Sequence, residues 1–67
     1  MHIDWSGNLV KVYDEYNTQR TSFPVIENIE NAVVQGDTII VTTKRYQMVY
    51  KKESAGWSFH QTTSRTR

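Results

Sequence analysis

The chain has 67 residues, with eight Lys and Arg against seven Asp and Glu, and no cysteine. That length holds one small domain, which buries only about 60% of the surface its unfolded chain exposes. Disulfides and zinc-thiolate sites are excluded, two histidines (His2 and His60) are too few for an all-imidazole site, and no apolar run is long enough for a membrane-spanning helix or a signal peptide. A soluble, cytoplasmic protein without cofactor or metal is expected, reinforced by its eight aromatic residues or by oligomerisation.

Val, Ile, Thr, Tyr, Trp and Phe dominate between turn residues, which predicts strands. The first runs from His2 to Trp5. Ser6-Gly7-Asn8 makes a tight turn, because Gly and Asn accept positive φ. Leu9 to Tyr13 is the second strand, and Asp14 to Thr18 a polar loop. Gln19 to Phe23 is a third strand, stopped by Pro24, which has no N–H to donate. Val25 to Asn31 reads as an irregular crossing segment. Ile26, Ile29 and Glu30 have helical spacing, so a turn or two of helix is the alternative there.

From Ala32 the strand signal sharpens. Val33–Gln35, Thr38–Thr43, Tyr46–Lys51 and Trp57–Gln61 form a predicted antiparallel meander. Gly36-Asp37 suits a two-residue type II′ hairpin, and Ser54-Ala55-Gly56 a three-residue one. Lys44-Arg45 is read as a two-residue loop as well, although it is poor chemistry for a primed turn and of the three hairpins is the one most open to widening. These loops pair Val34 with Ile39, Val41 with Met48 and Tyr50 with His60. One face then holds Val34, Ile39, Val41, Met48, Tyr50 and His60. The other holds Val33, Ile40, Val49, Trp57 and Phe59. A sheet wet on one side alternates apolar and polar residues; the consecutive Ile39-Ile40-Val41 run instead asks for cover on both faces. The N-terminal strands are expected to cover one, and a second copy of the protein the other.

Two segments echo each other. Val12-Tyr13 matches Val49-Tyr50, and Ser22-Phe23 matches Ser58-Phe59 after a one-residue deletion. The length and four-strand pattern of the second segment resemble a β-propeller blade, although the Gly-His and Trp-Asp signatures of WD-type blades are absent. The resemblance implies a unit that needs neighbours to bury its faces. The expected fold is therefore all-β, a small antiparallel meander of five to seven short strands, closed or sandwich-like. The alternative is a propeller-blade-like unit completed by oligomerisation. The domain spans residues 1–61, and Thr62 to Arg67, without an apolar residue, is expected to be a disordered tail.

Charge is unevenly spread. Residues 1–40 carry six acids and two bases, a balance of −4; residues 41–67 carry one acid and six bases, a balance of +5. Either the halves attract each other, or the basic half faces a polyanion. Lys44, Arg45, Tyr46, Lys51 and Lys52, with Tyr50 and Trp57 nearby, have the basic-plus-aromatic composition used for single-stranded nucleic acids.

Catalytic chemistry has little support. Ser58, His60 and Asp37 form a nominal triad with no motif around them. Asp14-Glu15 are sequence neighbours whose side chains point apart, and the three glycines are spaced as turn residues rather than as a phosphate loop. The reading is a non-enzymatic, homo-oligomeric interaction module. Ile39, Ile40, Val41, Val49, Trp57 and Phe59 are the residues expected at or behind the self-association surface. A small nucleic-acid-binding β-barrel is the alternative.

Overall fold

The chain forms seven antiparallel strands: β1 (His2–Ser6), β2 (Leu9–Tyr13), β3 (Gln19–Pro24), β4 (Ile29–Gln35), β5 (Thr38–Thr43), β6 (Tyr46–Glu53) and β7 (Gly56–Ser64). The structure is a computed structural model that describes residues 1–54 and 56–65. The strands make two meander sheets, β1-β2-β3 and β4-β5-β6-β7, and among the described residues there is no helix. The sheets do not close into a barrel.

Glycine places two of the hairpins. Gly7 and Gly36 each have φ of 60°, and Asn17 is the single described non-glycine residue with positive φ. A positive φ at the first turn residue and a negative one at the second is the type II′ pattern, whose twist matches that of the flanking strands. Gly36-Asp37 was expected to form this turn; Gly7-Asn8 forms it too. Lys44-Arg45 has no positive φ. There the Thr43 hydroxyl accepts the Tyr46 N–H at 3.1 Å, so a side chain closes what the turn residues cannot.

Alternation along the strands then sorts the faces. Ile3, Trp5, Val10, Val12 and Phe23 share one face of the first sheet. Val34, Ile39, Val41, Met48 and Tyr50 share one face of the second. These two faces lie against each other. Val10, Ile39 and Val41 are wholly buried, and Val12 and Met48 nearly so. The Phe23 and Tyr50 rings meet at 4.5 Å, and Tyr50 meets Phe59 edge-on at 5.6 Å. The N-terminal strands thus supply the cover expected for one face of the meander.

The crossing between sheets is clipped to the first hairpin. The Val25 N–H donates to Asn8 O and the Ile29 N–H to Gly7 O, both at 2.8 Å, and Asn8 Nδ2 donates to Val25 O at 3.0 Å. No helical turn forms. Val25, Ile29 and Ala32 are buried while Ile26 is 69% exposed, which is not the helical stripe of Ile26, Ile29 and Glu30. After Pro24 the backbone bonds to the β1–β2 turn instead of to itself, and β4 starts at Ile29, four residues before the expected Val33.

Two corrections fall on β7. Glu53 pairs with Gly56, so the hairpin is one residue tighter than expected, and Tyr50 pairs with Phe59 rather than His60. A bulge between Val49 and Tyr50 leaves His60 as the extra residue and restores the expected register at Val49 and Gln61. Trp57 and Phe59 therefore lie on the Tyr50 side, not on the Val49 side. Thr62, Thr63 and Ser64, expected in a disordered tail, extend β7 against β6. The Arg65 N–H donates to Arg45 O at 2.7 Å. Thr66 and Arg67, the rest of that tail, lie outside the described residues.

The Ile39→Ala variant is expected to lose about 2–5 kcal/mol, the cost of a buried large-to-small change. Ile40→Ala, one residue along on the other face, is expected to cost about 1 kcal/mol or less. Urea denaturation of the two variants checks this; equal losses would contradict the burial assigned to Ile39.

Candidate functional site

The outer face of the second sheet carries a short apolar row. Val33 pairs with Ile40, and Ile40 with Val49, so three side chains stand side by side across β4, β5 and β6. Val33 is 40% exposed, and Ile40 and Val49 are half-buried. Two polar rows frame them. Gln35, Thr38, Lys51 and Ser58 lie on one side, and Asn31, Thr42, Gln47 and Thr63 on the other. An apolar centre with a polar rim is the anatomy of a contact surface.

Of the six residues selected from sequence for self-association, Ile40 and Val49 reach this face. Ile39 and Val41 are core. Trp57 packs against that core at the edge, and Phe59, 57% exposed, flanks Tyr50. Val33 joins the surface although it was not in the selected set. Its pairing with Ile40, already implied by the Gly36-Asp37 hairpin, was the signal that identifies it.

The outer face of the first sheet is more polar. It presents His2, Asp4, Leu9, Lys11, Tyr13 and Pro24. Asp4 pairs with Lys11 and Leu9 with Pro24 across neighbouring strands. The His2 and Tyr13 rings stack in parallel with centroids 4.9 Å apart. Leu9, Lys11 and Tyr13 are each half-buried.

The basic residues do not form one track. Lys44 and Arg45 lie in the turn before β6, and Lys51 and Lys52 near its end. At about 3.4 Å per residue, the two pairs are about 20 Å apart. Lys51 and Lys52, being neighbours in a strand, point to opposite faces. Arg45 is engaged already: its Nε donates to Glu27 Oε2 at 3.2 Å, and its guanidinium sits 5.4 Å from the centroid of the Tyr46 ring.

The charge asymmetry is expressed within the fold. Arg45–Glu27 and Arg65–Glu30, at 3.3 Å, each join an acid of the first 40 residues to a base of the rest. Thr43 ties them together. It is fully buried, donates its hydroxyl to Glu27 Oε1 at 2.7 Å, and offers its carbonyl to Arg65 Nη1. The Thr43 hydroxyl, aided by Arg45, holds the Glu27 carboxyl below the usual range against the opposing effect of burial. At Asp14 the Thr18 N–H does the same, followed by the Tyr16 N–H and Arg20.

A cleft of about 590 Å³ opens where the ends of β2 and β3 meet the β6–β7 hairpin, with Tyr13, Arg20, Lys52 and Trp57 in its wall. Asp14, Glu15 and Glu53 line it too, so acids outnumber bases. The Ser58 hydroxyl is bonded to Glu53 at 2.9 Å, and His60 is exposed at the β7 bulge. Among the described residues, no group of three or more His, Asp or Glu side chains is placed to hold a metal ion, and no helix is long and apolar enough to cross a membrane. No protein-family model, curated protein or solved structure matches the chain.

A carboxylate with a lowered folded-state pKa contributes stability above its unfolded pKa, about 4.3 for glutamate, and loses it as pH falls through the folded value. The melting temperature is therefore expected to drop on acidification below that pH. Glu27→Gln should flatten part of the drop relative to the wild type. Thermal melts between neutral pH and about pH 3 check the difference.

Proposed function

We propose that the protein is a non-enzymatic interaction module that associates with copies of itself through the outer face of β4, β5 and β6. The observation that supports this reading is the Val33–Ile40–Val49 row, three adjacent apolar side chains on a face that, among the described residues, no other element covers. A domain this small gains from removing such a row from water. At about 25 cal/mol per Å² of apolar surface, a second layer there would add to the modest stability of a domain this small. A cysteine-free chain suits the reducing cytoplasm.

The nucleic-acid reading has weaker support, because the bases split between the two ends of β6 and the aromatic residues near them are partly committed to packing. A labelled single-stranded oligonucleotide at low salt tests it. The proposal expects no salt-sensitive binding, whereas a steep salt dependence abolished by Lys51→Glu with Lys52→Glu would favour the alternative.

Static light scattering at high micromolar concentration is expected to give a mass above that of one protomer. Ile40→Lys should lower it to the monomer while the circular dichroism spectrum stays that of a folded β protein. A monomeric wild-type protein under these conditions would refute the proposal. Trp57→Ala, which removes an edge of the core, should lower stability instead.

A further inference from the structure

The first sheet and the last three strands of the second are the same unit. Both contain two strands joined by a two-residue turn, Gly7-Asn8 in one and Lys44-Arg45 in the other. In both, the third strand bulges at the same step. Val12 faces Thr21 and Tyr13 faces Gln19, leaving Arg20 extra; Val49 faces Gln61 and Tyr50 faces Phe59, leaving His60 extra. The offset is constant through the first two strands: 39 − 2 and 50 − 13 both give 37. Three positions keep the same residue across it, Ile3 and Ile40, Val12 and Val49, Tyr13 and Tyr50. Ser22-Phe23 and Ser58-Phe59 are not equivalent, since Phe23 pairs with Val10 and Phe59 with Tyr50.

Equivalent residues point in opposite senses relative to the core. The cross-strand pair Ile3–Val12 faces inward, and its equivalent Ile40–Val49 faces outward. Tyr13 lies on the outer face, and its equivalent Tyr50 lies in the core. That is the relation of units stacked all facing one way, the front of one against the back of the next. Inside the chain this junction occurs once: the front of the first sheet, with Ile3 and Val12, rests on the back of the second, with Ile39, Met48 and Tyr50. One front and one back remain, at opposite sides of the molecule.

We infer that these two faces meet between copies, so that the Val33–Ile40–Val49 face of one protomer seats on the His2–Leu9–Tyr13 face of the next. The inference rests on the self-association proposed above and adds the occupant and its orientation. The receiving face fits by equivalence. Leu9 stands where Tyr46 stands in the second sheet and Tyr13 where Tyr50 stands; His2 replaces Ile39, and the cross-strand pair Asp4–Lys11 replaces Val41–Met48, with a Lys11 aliphatic stem that covers apolar surface while its ammonium reaches the rim. Such a head-to-tail contact uses two different surfaces, so it closes into a ring or extends as a filament.

Mixing two variants tests this. Ile40→Lys spoils the front of the second sheet and leaves the back of the first intact; Leu9→Lys does the reverse. Each alone is expected to be monomeric by sedimentation velocity, and an equimolar mixture to give a species of twice the protomer mass. Circular dichroism confirms that both are folded. If either is not, Gln47→Lys and Ser22→Lys, at exposed positions on the same two faces, replace them. Leu9→Lys assembling like wild type would overturn the head-to-tail inference and leave the proposed self-association standing, with like faces meeting. Two monomeric variants that fail to combine would overturn the inference also. A monomeric wild type would instead remove the proposed function, and this inference with it.

Discussion

Contact between two apolar faces, Val10 and Val12 on one sheet and Ile39, Val41 and Met48 on the other, is what the rest of the molecule depends on. A β-sheet is one layer thick and cannot bury its own side chains, so a chain of this size must divide into two layers or leave its apolar residues wet. Here 23 residues, from His2 to Pro24, make one layer and the strands from Ile29 onward make the other. Tyr50 sits where the layers meet their edge, touching Phe23 from the first sheet and Phe59 from its own, and burial pushes its phenol above the ordinary range.

The polar side of the fold is organised around a hairpin that lacks its own turn chemistry. Lys44 and Arg45 do not adopt positive φ, and Thr43 takes over with its side chain. The same hydroxyl reaches Glu27 in the crossing segment, which holds Arg45, while the Thr43 carbonyl receives Arg65 beyond the end of β7. Crossing segment, hairpin and C-terminal strand are thereby joined through one buried threonine. The exposed ion pairs add little energy of their own. Arg45 and Arg65, two of the six bases of residues 41–67, pair in this way with acids of the first 40 residues.

Two meander sheets stacked in one sense leave an unlike pair of faces at the ends. The front of the second sheet is apolar at its centre, with polar rows on both sides; the back of the first is mixed, with a stacked His2–Tyr13 pair and an aliphatic Leu9–Pro24 pair. Of the consecutive apolar residues Ile39, Ile40 and Val41, Ile39 and Val41 serve the junction within the chain, and Ile40 lies half-buried on the outer face.

The sequence by itself determined the class, a count of five to seven strands and most of their ends, because alternating β-branched and aromatic residues between Gly, Asn, Pro and Asp turns are local signals. It also determined that β5 is apolar on both faces, and which of Val33, Val34, Ile39, Ile40 and Val41 share a side, since the Gly36-Asp37 turn sets that register directly. Only the tertiary structure decided the placement of Trp57 and Phe59. One residue lost from a hairpin and regained at the His60 bulge reverses their side, and the sequence carries no local mark of a bulge. It alone showed that Val25 to Asn28 clips onto the Gly7-Asn8 turn rather than coiling, and that Thr62 to Ser64 pair with β6. In these cases most of the deciding bonds join residues well apart in the chain, and apart from the Asn8 amide their donors and acceptors are backbone groups that carry no residue-specific signal.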